Sequence, residues 1–221
     1  MKPTTTLARS ETRDGTPMVL QEHDGDIFLK IGGVSLMSTC ASYSEQEMAQ
    51  LACGDLHASA RVLIGGLGFG YTMAKTLELC GPEAEVTVAE LLPEVVEWNR
   101  EHLSHINGKL LDDPRVEIAM KDVYHLIRDC GGNHYHAIML DVDNSPDALV
   151  SRGNARLYNR RGLDLIRSAL KRGGRVIFWS ANRDKPFEKL LGKVFRRVTS
   201  VPAKAYPQAK RFSHTLFIAE A

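Results

Sequence analysis

Short apolar runs separated by turn residues open the chain. Met18-Val19-Leu20, Ile27-Phe28-Leu29-Lys30-Ile31 and Val34-Ser35-Leu36-Met37 are divided by Asp24-Gly25 and Gly32-Gly33, which predicts a small antiparallel meander. Residues 1–16 are polar and Thr-rich and are expected to form a frayed lead-in. From Ser44 the period lengthens to that of a helix, with Met48, Leu51 and Ala52 on one face, and Ser44 followed by Glu47 has the form of a capping box.

Beyond this point apolar runs and helical patterns alternate. Strands are predicted at 62–64, 86–89, 116–120, 136–140 and 175–179, and helices at 71–79, 94–103, 124–128, 162–171 and 187–194. Gly173-Gly174 is expected to close the fourth of these helices, and 142–157 to be a loop. Two last strands, 195–201 and 214–219, follow each other with no helix between them. Strands that are apolar on both faces and separated by helices predict a parallel sheet covered on each side. The fold class expected is therefore α/β: a doubly wound, mostly parallel seven-stranded sheet of the class I methyltransferase-like Rossmann type, ending in an antiparallel hairpin. Residues 1–43 would be the lead-in and meander, and 44–221 the domain built on this sheet.

Composition narrows the function classes. The chain has 221 residues, 43% of them hydrophobic, enough for one well-cored domain. No apolar run reaches the roughly 18 residues of a membrane helix, and the first residues lack the apolar segment of a secretory signal, so a cytoplasmic location is expected. Cys40, Cys53, Cys80 and Cys130 form no C-x-x-C pair, which indicates neither a disulfide framework nor a metal site. They are expected to be reduced and mostly buried. The net charge of +1 conceals a polarity: residues 1–150 carry 11 Lys+Arg against 23 Asp+Glu, and residues 151–221 carry 17 against 4. A basic surface for nucleic acid would produce this, but so would two halves that interleave in one fold, and the second reading is preferred.

The candidate chemistry lies at the strand ends. In RVLIGGLGFGYT (61–72), Gly65, Gly66, Gly68 and Gly70 separate a strand from a helix, where a backbone must turn sharply and the free N–H groups of a helix start favour a nucleotide-like ligand. Glu90, Asp122 and Asp141 then fall directly after three successive strands. Each alone could be a helix cap. Glu90 lies 20 residues beyond Gly70, a spacing at which an acid meets ribose hydroxyls, and Asp122 is placed to accept from an adenine amino group.

VLIGGLGFG, VAELLPEVVEWN, RVEIAMKDVYHLI, YHAIMLDVDNSP, LYNRRGLDLIRSALKRGG and the closing FRRVTSVPAKAYPQAKRFSHTLFIAEA together resemble the spermidine synthase (polyamine aminopropyltransferase) family. SYSEQEMAQLA resembles the Tyr-Gln-Glu-Met segment of that family. The resemblance implies that Glu90 holds a ribose, Asp122 an adenine, and that Asp141 faces an incoming amine and takes its proton. It further implies Asp143 and Tyr158 as partners in catalysis, Tyr43, Gln46, Glu47 and Asn144 as the substrate wall, and a homodimer. The donor would be decarboxylated AdoMet or AdoMet, with no metal, and the acceptor a small-molecule amine; membrane and nucleic-acid partners are not expected. Gly68 stands where the family's loop carries an acid, Asp141-Val142-Asp143-Asn144 replaces Asp-Ser-Ser-Asp, and Arg152, Arg156, Arg160 and Arg161 crowd the following segment. Three functions stay open: aminopropyl transfer, AdoMet-dependent methyl or carboxyaminopropyl transfer to a small molecule, and non-catalytic nucleoside or RNA binding.

Overall fold

The computed structural model describes residues 3–12, 14–142 and 152–221. Its first sheet is antiparallel and runs β1 (Thr5–Glu11), β2 (Pro17–His23), β3 (Asp26–Ile31), β4 (Val34–Ser38). Asp24 and Gly25 both take positive φ, 55° and 87°, which closes the β2–β3 hairpin with the twist its strands need. β1 departs from the expected frayed lead-in. Thr5 to Glu11 pair with β2 from Glu22 down to Pro17, although none of the seven side chains is buried. Backbone pairing orders this edge strand, so its side chains carry no hydrophobic period.

Helix α1 (Tyr43–Cys53) follows, with Ser42 rather than Ser44 at its N-cap position and no side-chain capping bond. Ser44 is buried and accepts a 3.0 Å hydrogen bond from the Trp179 indole N–H. The expected Ser44–Glu47 capping box does not form, because the serine hydroxyl is engaged across the core.

The remaining elements build the second sheet: β5 (Arg61–Gly65), α2 (Tyr71–Leu79), β6 (Glu85–Ala89), α3 (Pro93–Glu101), β7 (Val116–Ala119), α4 (Val123–Asp129), β8 (Tyr135–Leu140), α5 (Arg160–Ala169), β9 (Leu170–Ser180), α6 (Lys185–Leu191), β10 (Arg197–Ala203) and β11 (His214–Glu220). Short 3-10 turns at Gly108–Asp112 and Arg152–Leu157 complete the path. The strand order is β10-β11-β9-β8-β5-β6-β7. β5 to β9 are parallel, and β11 alone runs against both of its neighbours, β9 and β10. This is the expected doubly wound sheet, with its switch point at β5, between β6 and β8.

One boundary falls differently. α5 ends at Ala169 and β9 begins at once, so Gly173-Gly174 lies inside a strand instead of closing a helix. The pairing with β8 jumps there from Tyr135↔Leu170 to Ala137↔Arg175. A Cβ on Gly174 would stand 2.9–3.1 Å from the carbonyl oxygens of Lys171, Tyr135 and His136, so the bulge requires glycine.

Alternate residues of the sheet feed two cores. Val62, Ile64, Val86, Val88 and Met139 pack with α1, α2 and the inner face of the first sheet, where Met18, Leu20, Leu29 and Ile31 are buried. Leu63, Ile138, Leu140, Val176 and Phe178 pack on the other side with α4 and α5. The acidic and basic parts interleave as preferred above: Arg175 of β9 pairs with Asp55 at 2.8 Å, and Arg156 with Asp122. All four cysteines are unbridged; Cys53 and Cys80 are buried, Cys130 partly so, and Cys40 is exposed.

Candidate active site

The glycine loop is fixed from three directions. Gly66, with φ 94°, brings its backbone so near the end of β8 that a Cβ would lie 2.9 Å from the Asp141 carbonyl oxygen. Gly70, with φ 76°, is the N-cap residue of α2. Two buried asparagines hold the loop carbonyls: the Asn99 side-chain amide donates to Gly68 at 2.8 Å, and that of Asn107 to Phe69 at 2.9 Å. A carboxylate holds its N–H side. One oxygen of Glu90 accepts from Leu67 at 3.0 Å, the other from Leu91 at 2.7 Å and Leu92 at 2.9 Å. Burial pushes the Glu90 carboxyl above its ordinary range, and these three amides hold the rise back.

Asp122 caps α4, accepting from the Tyr124 N–H at 2.8 Å, and its second oxygen pairs with Arg156. The Arg156 guanidinium lies 4.1 Å from the centre of the Tyr124 ring, and its Nε is buried without a hydrogen-bond partner among the described residues. Arg156 is thus occupied by an acid of the site. Arg160 is bonded to Asp164 at 3.0 Å within α5, and Arg161 is exposed.

Glu90, Asp122 and Asp141 line one cavity of about 800 Å³, together with Gly66 and Gly68. It lies at the carboxyl edge of the parallel strands, where right-handed crossovers leave a crevice. Leu29 of β3 and Met37 of β4 form its opposite wall, so the first sheet is also the roof of the site. Gly65 does not line the cavity; it sits beneath the loop, where a Cβ would press within 3.0–3.2 Å of Leu140, Val142 and Val123. Tyr43, Gln46 and Glu47 also lie off this wall. Tyr43 is exposed, Gln46 donates to Ser42, and Glu47 is half-buried with Lys204 nearby. Tyr158 packs on Phe178 and Phe187, with ring centres 5.7 and 5.5 Å away. Asp143 and Asn144 lie outside the described residues.

Three cavity residues were not singled out from sequence. Glu45 stands in the first turn of α1; Trp179 and His214 stack at 4.6 Å between ring centres, and the buried Nδ1 of His214 has no partner among the described residues. Burial holds the His214 imidazole below its ordinary pKa, and burial with the Asp141 charge pushes Glu45 well up. A signal for Glu45 was present: it is three and four residues ahead of Met48 and Ala49, both buried, and therefore on the apolar side of α1.

A profile of the spermine/spermidine synthase domain matches residues 41–208, which run from α1 through β10 into the loop before β11. The chain belongs to the spermine/spermidine synthase family. This family member is 31% identical to a polyamine aminopropyltransferase of Corynebacterium efficiens over 76% of its own length and 32% of the relative's. It is 29% identical to polyamine aminopropyltransferase 1 of Hyperthermus butylicus, over 66% of its length and 49% of the relative's. The chain therefore spans about a third to a half of the curated relatives it matches. Its fold is similar to a spermidine synthase solved with the transition state analogue AdoDATO, at TM-score 0.79 and 20% identity, covering 97% of this chain and 73% of that one. The spermidine synthase of Thermotoga maritima gives 0.76 at 19% identity, covering 97% and 72%.

Proposed function

We propose that this chain transfers an aminopropyl group from decarboxylated AdoMet to a di- or polyamine, releasing methylthioadenosine. The observation that carries the reading is the convergence of Glu90, Asp122 and Asp141 on one cavity beside the glycine loop, in a member of this family. The reaction forms a C–N bond while a C–S bond breaks at the sulfonium, and the attacking nitrogen must be unprotonated. Asp141 is the base in this reading: it takes the amine proton and balances the remaining cation. Glu90 is assigned to the ribose. Its three N–H partners leave part of its acceptor capacity open. Asp122 and the backbone beside it are assigned to the adenine. Asp143 and Tyr158 would assist at the amine, with Tyr43, Gln46, Glu47 and Asn144 outside them as substrate wall. The reading includes a cytoplasmic homodimer. Among the described residues, no helix is long and apolar enough to cross a membrane, and no group of three His, Cys, Asp or Glu could hold a metal ion.

AdoMet-dependent methyl transfer is the second reading, favoured by Gly68, a loop position without an acid. Incubation with putrescine and decarboxylated AdoMet tests the first: methylthioadenosine should be released, and Asp141→Asn should nearly abolish the release. Turnover with AdoMet but with no diamine would transfer the assignment to the second.

A further inference from the structure

Arg156 is mounted on a short turn that the fold holds at three points. Leu157 beside it is buried in the core that α5 covers, and the Asn154 side-chain amide donates to the Val142 carbonyl at 2.7 Å. A Cβ on Gly162 would overlap the Arg156 carbonyl oxygen, so glycine lets the turn lie against the start of α5. From this mount the side chain reaches Asp122, 34 residues earlier in the chain, at the start of α4. Its guanidinium faces the ring of Tyr124, whose N–H is the one that Asp122 accepts. Among the described residues Asp122 is the anion with which Arg156 pairs, while its Nε finds no acceptor. Asp122 is thereby held at both oxygens, Oδ1 by the Tyr124 N–H and Oδ2 by the guanidinium. A carboxylate accepts about four hydrogen bonds, so about two acceptor positions stay open. The Asp122 side chain keeps 16% of its surface exposed and lines the cavity, whereas Arg156 is not part of the cavity wall. The arginine supplies a counter-charge and a fixed orientation from behind the acid, without standing in the ligand's space.

We propose that Arg156 is a positioning residue for the purine of the donor: it holds the Asp122 carboxylate where a 6-amino group meets it, and so sets a preference for adenine over a 6-oxo purine. The inference rests on the aminopropyl-transfer reading, in which Asp122 is assigned to the adenine, and adds a residue that acts through that acid. An ionised carboxylate only accepts hydrogen bonds, so it matches the amino group of adenine and opposes a carbonyl in the same place. A 6-oxo purine carries a donor one ring position away, at N1. A carboxylate held by the helix cap alone can pivot about its Cβ–Cγ bond towards that donor, because this torsion is broad. One whose second oxygen is tied to a guanidinium cannot. Discrimination between the two bases therefore depends on the side chain behind the acid.

Calorimetric titration of the full chain with methylthioadenosine and with its 6-oxo counterpart, methylthioinosine, tests this. The wild type should bind methylthioadenosine at least about tenfold more tightly than methylthioinosine. Arg156→Gln should weaken methylthioadenosine by about tenfold and bring the two nucleosides within about threefold of each other. In an Asp122→Asn background, where the helix cap persists, the same substitution should change either affinity by less than about twofold, because Arg156 acts through the acid. Thermal unfolding by circular dichroism reports whether each variant is folded. If Arg156→Gln is not, Arg156→Met, which keeps an unbranched stem against Tyr124, takes its place with the same expectations. A wild type that binds both nucleosides equally, an unchanged ratio in a folded variant, or an equal loss with and without the Asp122 carboxylate overturns the role of Arg156 and leaves the nucleoside site standing. If the wild type does not bind methylthioadenosine, the aminopropyl reading fails, and this inference fails with it.

Discussion

Asn99→Leu isolates the contribution of one buried hydrogen bond to the order of the glycine loop. Asn99 is 1% exposed, and its side-chain amide donates to two carbonyls, Gly68 at 2.8 Å and Val95 at 2.8 Å. The Val95 carbonyl has the backbone N–H of residue 99 as its helical partner, so it keeps a bond when the side chain changes. The Gly68 carbonyl does not. Leucine preserves the volume, so cavity formation contributes little, and the cost is that of one orphaned buried acceptor, about 1–3 kcal/mol. For a chain of this size each kcal/mol lowers Tm by about 2–4 °C, so a loss of about 2 kcal/mol corresponds to about 4–8 °C. If about 1.4 kcal/mol of it is borne by the loop, affinity for methylthioadenosine falls about tenfold. Thermal unfolding by circular dichroism and calorimetric binding measure the two effects. A Tm within about 1 °C of wild type, with unchanged affinity, would refute the claim that Asn99 fixes the loop.

Two further outcomes follow from burial. The raised pKa of Glu45 means that the folded chain keeps a proton the unfolded chain has lost, so ionising this group costs stability as pH rises above 4.5. Glu45→Gln should therefore raise the urea midpoint near neutral pH, with a gain that vanishes on acidification towards pH 4.5; a lower midpoint at neutral pH would contradict the burial of an uncompensated charge. Alkylation with iodoacetamide should modify Cys40 in the native chain, while Cys53 and Cys80 react only on unfolding, as peptide mass spectrometry would reveal. Rapid native labelling of Cys53 would show that the α1–α2 packing opens readily.

The second sheet was legible because its strands are apolar on both faces and crossover handedness leaves few orders for them. α2 falls on its expected residues, since Gly70 and Cys80-Gly81-Pro82 mark both ends. β1 was not legible, because pairing with β2 leaves its side chains largely in water. Gly173-Gly174 gave a true signal of unusual backbone but not of its kind: helix stop and strand bulge call for the same residue. At the site, Glu90, Asp122 and Asp141 could be placed from the rule that α/β ligands sit at strand ends. Glu45 escaped because α1 was read through its motif, where Gln46 and Glu47 drew notice. Its helical phase, which sets a carboxylate beside Met48 and Ala49, would have exposed the anomaly. His214 and Trp179 depend on the sheet order of the last strands, which no local pattern encodes.

The reversed direction of β11 has a consequence for how this protein can vary. Parallel strands deliver their last residues to the ligand edge, whereas β11 delivers its first, His214, there. The connection between β10 and β11, residues 204–213, consequently turns on the ligand side of the sheet, and the Tyr43 N–H is bonded to its Ala205 carbonyl at 3.1 Å. Lengthening this hairpin tip changes what stands beside the N-terminus of α1 while leaving the glycine loop in place. It is a segment that can diverge at little cost to folding.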